Sequence, residues 1–260
     1  MLSQSQQQQY LSYLQQDIQP PSRCYLSALH QAHLQRIAFE NLDILRDQPI
    51  CLNMDQLLDK FICQHRGGLC FELNYAFGLL LKSLGFSVQW LSAEVWDGEQ
   101  FGSEVDHLFL RLDIDDSAVI ADVGFGCSYL TPLQLQMNSE QGTHRLIQQH
   151  GYWVWQKRHA TQHWQPCYRF RLNEHPIERF YPLLAQCLDE TSLFKQRLIC
   201  SRATPSGRVS IRNNQFTQTQ DGVQIKRHIF SQALFESILM EHFGFKLPSG
   251  VQLSAFGIDR

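Results

Sequence analysis

The chain has 260 residues, 43% of them hydrophobic, and its 25 acidic and 22 basic side chains give a formal net charge of −3. That length buries a substantial core as one large unit or two to three packed subdomains, and the charge, with no basic run interleaved with aromatics, supplies no field for nucleic acid. No segment approaches the ~18 consecutive apolar residues of a membrane-spanning helix, and the glutamine-rich start lacks the charged-then-apolar order of a secretory signal, so a cytoplasmic protein that engages neither nucleic acid nor membrane is expected.

Residues 4–9, nearly all glutamine, are expected to fray, after which Leu11, Leu14 and Ile18 recur at helical spacing until Pro20-Pro21 stops the helix. Ser22 can cap a second helix carrying Leu26, Leu29, His33, Leu34 and Ile37, and Asn53 a third with Leu57, Leu58, Phe61 and Ile62 on one face. A fourth begins at Cys70 and closes before Gly85. From Phe86 the period changes to two: Phe86, Val88 and Trp90 alternate, and His107, Phe109, Arg111 and Asp113 alternate with Leu108, Leu110, Leu112 and Ile114. Short strands follow at Ala118–Val123, Tyr152–Trp155 and Tyr168–Leu172, with a polar loop expected from about Gln134 to Gln149. The last third mixes strands at Arg208–Ile211 and Gly222–Ile225 with an amphipathic helix from Ser231 to about Phe243. The pattern is helical, then antiparallel β, then mixed.

The stretch Arg66-Gly-Gly-Leu-Cys-Phe-Glu-Leu-Asn74 carries the candidate chemistry. Two glycines allow a sharp turn, and Cys70 then stands at a helix start, where unpaired N–H groups and the positive end of the helix dipole favour a thiolate. The alternative is a buried cysteine among eight, all read as reduced thiols because no C-x-x-C pair occurs and a chain this long needs no staples. A nucleophilic cysteine needs a base, and the base an orienting carboxylate. His107, at the start of a strand, and Asp122, at the end of the next, supply both in Cys, His, Asp order. Taken singly, His107 could be an ordinary hydrogen-bonding histidine and Asp122 the cap of the Gly124–Gly126 turn. Cys63, His65 and Cys70 fit no zinc spacing, so no metal is expected, and the paired glycines match no phosphate fingerprint. Clustered aromatics (Trp153, Trp155, Trp164, Tyr168, Phe170) are expected in the sheet core or in cross-strand pairs.

The 66–74 motif resembles the signature of the arylamine N-acetyltransferases. Leu29-His-Gln-Ala-His33 leading into Phe39-Glu-Asn-Leu-Asp43, His107 in His-Leu-Phe-Leu and Asp122 in Asp-Val-Gly-Phe-Gly fall where that family places them. The resemblance covers nearly the whole chain. It implies an α+β fold with a papain-like Cys-His-Asp core: a helical domain over 1–85, an antiparallel β-barrel over 86–190 and an α/β lid over 191–260. It also implies ping-pong transfer from acetyl-CoA through a Cys70 thioester to small aromatic acceptors: arylamines, arylhydrazines or N-hydroxyarylamines. Phe125, with Phe39 and Val95, would line the acceptor pocket, and Ser103 and Gly126 would contact CoA. Arg66 and Glu40 would form an ion pair bracing the nucleophile turn, and Glu72 and Asn74 would fix the helix start. One departure stands out: where many members have a small residue before the histidine, this chain has Glu104-Val105-Asp106, two acids facing an anionic donor. The alternatives are an amide synthase closing a macrolactam from a carrier-bound polyketide, and a cysteine peptidase or transglutaminase-like acyl transferase.

Overall fold

The structure, a computed structural model, describes residues 1–158 and 163–258. Four helices open the chain: α1 (Gln4–Leu14), α2 (Arg23–Arg36), α3 (Met54–Leu58), which runs on into a π-helical turn over Asp59–Cys63, and α4 (Cys70–Ser83). The glutamine run is helical, contrary to the expected fraying. Ser3 and Gln6 close a capping box at its start, Gln7 Nε2 donates to Ser83 O at 2.8 Å, and Tyr10, Leu11 and Leu14 are buried. Glutamine is a good helix former, and these side chains dock the helix by polar contacts that apolar periodicity does not register. Ser22 and Asn53 cap α2 and α3 as expected.

A short strand, β1 (Phe39–Glu40), precedes α3. The central sheet is built from β2 (Ser87–Val95), β3 (His107–Ile114), β4 (Ser117–Ala121), β5 (Leu133–Gln134), β6 (Ser139–Gln141), β7 (His144–Gln149), β8 (Tyr152–Arg158) and β9 (Trp164–Phe170). Its order is β5-β4-β3-β2-β9-β8-β7-β6, antiparallel throughout. The sheet curls into a nearly closed barrel, and Gln134 N of β5 donates to Gln141 Oε1 of β6 across the gap at 3.2 Å. The segment expected as a polar loop over 134–149 instead contains the β6–β7 hairpin. Its residues are polar because most of them face solvent, and Leu146 alone is fully buried among them.

After α5 (Tyr181–Gln186) and α6 (Leu193–Gln196), a meander of β10 (Ile199–Thr204), β11 (Gly207–Arg212), β12 (Gln215–Gln220) and β13 (Val223–His228) leads to α7 (Gln232–Phe243). The strand β1 adds to its edge, pairing Phe39 with Ser201 and Glu40 with Cys200, so the segment before Cys70 is stitched to this sheet, the one expected as the lid. Three cores result. One lies between the helices and the outer face of β2, β3 and β4, one inside the barrel, and one between the lid sheet and α7. Strand β3 serves two of them by alternation: Leu108, Leu110 and Leu112 face the helices, while Phe109 points into the barrel and His107 lies stacked beside it.

Of the clustered aromatics, Trp155 and Tyr168 are register partners fully buried in the barrel, and across the same pair of strands the half-buried Trp153 stands opposite the buried Phe170. Trp164 is different. It lies half-buried under the guanidinium groups of Arg145 and Arg158, at 4.4 and 4.9 Å from the ring centre.

Candidate active site

Cys70 is the first residue of α4 and is buried. The glycines before it do not serve as left-handed turn residues, since neither Gly67 nor Gly68 has a positive φ. They provide room instead: a Cβ on Gly67 would lie 1.7 Å from the carbonyl oxygen of Ala38. Behind the turn runs a chain of buried and half-buried ion pairs. Arg66 Nη2 meets Glu40 Oε1 at 2.7 Å and Asp43 Oδ1 at 3.1 Å, and Lys60 Nζ meets Asp43 Oδ2 at 2.7 Å and Glu72 Oε1 at 2.8 Å. Glu72 closes the chain by accepting from Leu69 N at 2.9 Å. The expected Arg66–Glu40 pair is therefore one of four ion pairs in this chain, and Glu72 does fix the helix start through the Leu69 N–H.

Three elements converge on the cysteine. His107, at the start of β3, bonds through Nε2 to Asp122 Oδ2 at 2.8 Å, which leaves Nδ1 as the ring nitrogen free to face the thiol. Burial opposes a charge on this ring, but the charge and hydrogen bond of Asp122, followed by a hydrogen bond with Cys70, outweigh it, and the His107 pKa is pushed up to about 10. Asp122 follows the last residue of β4. Burial pulls its pKa up, yet His107, Asn74 and the Gly124 N–H hold it below the ordinary carboxylate range. An imidazolium is thus held between a carboxylate and a sulfur.

Asp122 is held from all sides. Its Oδ1 accepts from Asn74 Nδ2 and from Gly124 N, each at 2.9 Å. Its N–H donates to His30 Nε2 at 3.1 Å, and its carbonyl accepts from Ser128 Oγ at 2.6 Å. The turn after it sits tight on α4, because a Cβ on Gly124 would come 2.6 Å from Cys70 Cα. Asp122 thus accepts from the Gly124 N–H through Oδ1 while its Oδ2 bonds the His107 ring, so the contacts of a turn cap and of a partner for the ring are both present. Asn74 differs from expectation: it does not fix the helix start but binds Leu108 O, Asp122 Oδ1 and Val123 N, pinning both strands to α4. It stands four residues after Cys70 and so on the same helix face, a spacing that could have flagged it. His30 carried no such signal.

Phe125 is half-buried, its ring edge-on to His107 at 5.2 Å and close to Trp155 and Tyr168 at 5.3 and 5.5 Å. Phe39 lies against Gly126, where a Cβ would be 3.2 Å from its ring, and 6.3 Å from the Phe194 ring. The Gly126 carbonyl is tied to the lid by Ser201 Oγ at 2.6 Å and by Arg208 Nη1 at 2.7 Å. Val95 ends β2, opposite Tyr168. Ser103 is exposed in the loop between β2 and β3, and no hydrogen bond joins it to these residues among those described. A cleft of about 320 Å³ opens beside Phe71, the neighbour of Cys70, lined also by Asp106, Leu183, Cys187 and Phe194. Burial raises the Asp106 pKa, with Glu94 adding to it and a Val95 backbone hydrogen bond opposing it. Cys63 and His65 are exposed and stand apart from this arrangement.

The profile of a family described as N-acetyltransferase matches residues 24–251. An arylamine N-acetyltransferase / N-hydroxyarylamine O-acetyltransferase of Salmonella typhimurium is 34% identical over 232 residues, covering 84% of this chain and 81% of that protein. The chain belongs to the arylamine N-acetyltransferase family. Solved structures of the family superpose over almost the whole chain. The Salmonella typhimurium enzyme does so with a TM-score of 0.87 at 29% identity, covering 98% of this chain and 97% of that one. The Mycobacterium marinum arylamine N-acetyltransferase, solved in complex with CoA, gives 0.85 at 25% identity, covering 95% and 96%. The protein is an acyltransferase of this family with its α+β, barrel-centred fold. No helix among the described residues is long and apolar enough to cross a membrane.

Proposed function

We propose that the protein transfers acetyl groups from acetyl-CoA to aromatic amines in two steps, through a thioester on Cys70. The observation that carries this reading is the buried Cys70, His107 and Asp122 arrangement at the start of α4. In the first step the Cys70 sulfur attacks the acetyl carbonyl carbon. The carbon–sulfur bond to CoA breaks, and His107 gives its proton to the departing CoA sulfur. In the second step the amine nitrogen attacks the thioester carbonyl, His107 takes the amine proton, and the Cys70 thiolate leaves. Asp122 orients the ring and stabilises its charge.

A thioester keeps its carbonyl activated, and a weakly basic aromatic amine is unprotonated at neutral pH and able to attack it. Acceptors are arylamines and arylhydrazines and, by O-transfer, N-hydroxyarylamines; the double name of the Salmonella relative supports both kinds of transfer. Phe125, edge-on to His107, faces the acceptor ring with Phe39 and Val95 around it, while Ser103 and Gly126 contact CoA. The reaction takes place in the cytoplasm.

A second reading, amide synthesis with the same nucleophile, is motivated by a proansamycin X synthase of Amycolatopsis mediterranei that is 28% identical over 226 residues. The higher identity to the Salmonella acetyltransferase favours acetyl transfer. Intact-protein mass spectrometry after addition of acetyl-CoA without acceptor tests the proposal. One acetyl group is expected on the wild type, discharged by an added arylamine, and none on Cys70→Ala. Acetylation that persists in the variant rejects the covalent assignment.

A further inference from the structure

A second cleft, of about 430 Å³, opens where the first helices meet the lid sheet. Its walls include Tyr13 of α1, Gln35 and Arg36 at the end of α2, His65, Arg202 of β10 and Phe243 at the end of α7, and no carboxylate lines it. His65 lies stacked on the Tyr13 ring, 6.0 Å between centres. Arg36 makes no ion pair or hydrogen bond among the described residues. Arg202 donates from its terminal nitrogens to the His242 and Phe243 carbonyls, and its Nε is buried without a partner.

The two guanidinium groups are close enough to act on the same phenol: burial raises the Tyr13 pKa, while Arg202 and Arg36 both pull it down. They also act on each other. Burial disfavours the charge on Arg202, and Arg36 disfavours it further. The ends of α2 and α7 supply about half a negative charge each, which leaves roughly one positive charge without a counter-charge before His65 is considered. Two arginines brought together without a carboxylate are the usual means of holding an oxyanion.

We propose that this cleft binds a phosphate group, as the free anion or as a small phosphomonoester, and that the bound anion ties α1 and α2 to the lid sheet. The site is independent of acetyl transfer. Its ligand would bridge Arg36 and Arg202, with the Tyr13 hydroxyl and the Gln35 amide as further donors.

The test compares thermal unfolding midpoints in potassium chloride and in 10 mM-range inorganic phosphate at matched ionic strength, with adenosine monophosphate as the ester probe. Phosphate should raise the wild-type midpoint by about 3 °C or more. Arg36→Gln should lose that response while unfolding in chloride no earlier than the wild type, since it removes one of two facing cations. Arg36→Lys should retain part of the response. Of the shift that Arg36→Gln removes, a larger one with adenosine monophosphate than with phosphate identifies a phosphomonoester as the ligand, and the reverse identifies the free anion. An equal response in wild type and Arg36→Gln, or no shift beyond chloride with either probe, overturns the proposal. Neither result bears on acetylation of Cys70, so the two readings fail separately.

Discussion

Asn74 Nδ2 donates to Asp122 Oδ1 at 2.9 Å, one helical turn after Cys70. Because the same amide also binds Leu108 O and Val123 N at 2.7 and 2.9 Å, it ties α4 to β3, which carries His107, and to the turn after β4, which carries Asp122. Replacing it with alanine strands two buried partners and leaves Asp122 Oδ1 with one donor in place of two. Asn74→Ala is expected to cost about 2–4 kcal/mol of stability and to slow acetylation of Cys70 by roughly 10-fold or more, since a loosened base costs orientation. Urea unfolding and single-turnover acetylation measured on one preparation check both, and a variant that unfolds early but acetylates at the wild-type rate removes Asn74 from the positioning role.

The two donors on Oδ1 also settle what an amide at position 122 would do. In Asp122→Asn the amide oxygen is drawn to Asn74 Nδ2 and Gly124 N, so the NH₂ group turns toward His107 Nε2. That presents a donor where the ring needs an acceptor and favours the wrong tautomer. A folded protein whose acetylation is slowed on the order of 10²-fold or more is expected. Wild-type acetylation kinetics in the purified variant would show that Asp122 does not orient the base.

Much of this arrangement was legible beforehand, and the parts that were not share a physical reason. Alternation in His107–Ile114 placed His107 and Phe109 on one face because β3 buries both of its faces in different cores. The helix start at Cys70 was visible because an apolar run follows it at once. The capped glutamine helix and the β6–β7 hairpin were missed because they are held by capping and backbone pairing while their side chains stay polar. Asn74 is expected from the sequence only at the helix start, and His30 and Ser128 carry no expectation as supports of Asp122, since a polar side chain gives no periodic signal of the partner it will meet. Their partners are 48, 92 and 6 residues away, respectively, and only the fold brings the distant ones together.

Three buried histidines set the pH range of stability. Burial lowers the pKa of His30 to about 4 and that of His33 to about 3, the latter aided by His30, so both are neutral in the folded state at pH 7. Below about pH 6.5 the unfolded chain binds protons that the folded one refuses, and each histidine removes about 1.4 kcal/mol per pH unit until its folded pKa is reached. His107 works in the opposite sense. Its pKa is pushed up to about 10, so its contribution is complete below about 6.5 and is lost as pH rises through 10. Chemical denaturation at pH 4.5, 6.5 and 9 should find greatest stability near 6.5. His33→Gln, which can keep the bond to the Tyr10 hydroxyl, should flatten the acid limb, and His107→Gln the alkaline limb. Limbs of unchanged slope in either variant contradict the assignment for that residue.

The eight cysteines allow the thiolate assignment to be tested within a single molecule. Cys24, Cys51 and Cys63 are exposed, whereas Cys70 is buried, so access alone predicts that Cys70 reacts last. The site chemistry predicts the reverse, because Cys70 shares a hydrogen bond with an imidazole that stays protonated up to about pH 10. Four of the competitors are held back. Cys187 is pushed up to about 12 by burial, with Cys70, Glu72 and Asp106 adding to it, and burial likewise raises Cys200. A hydrogen bond with Cys127 and burial raise Cys167, and local desolvation with the Asp59 carboxylate raises Cys63. Substoichiometric iodoacetamide at about pH 6.5, where ordinary thiols near pKa ~8.5 are mostly protonated, should therefore alkylate Cys70 first. Acetyl-CoA added beforehand should protect it. His107→Ala should remove the preference, with some residual reactivity from the helix terminus. Peptide mapping decides between access and chemistry: labelling that follows exposure, with Cys24 and Cys51 ahead of Cys70, rules out a thiolate–imidazolium pair as the resting state of the site.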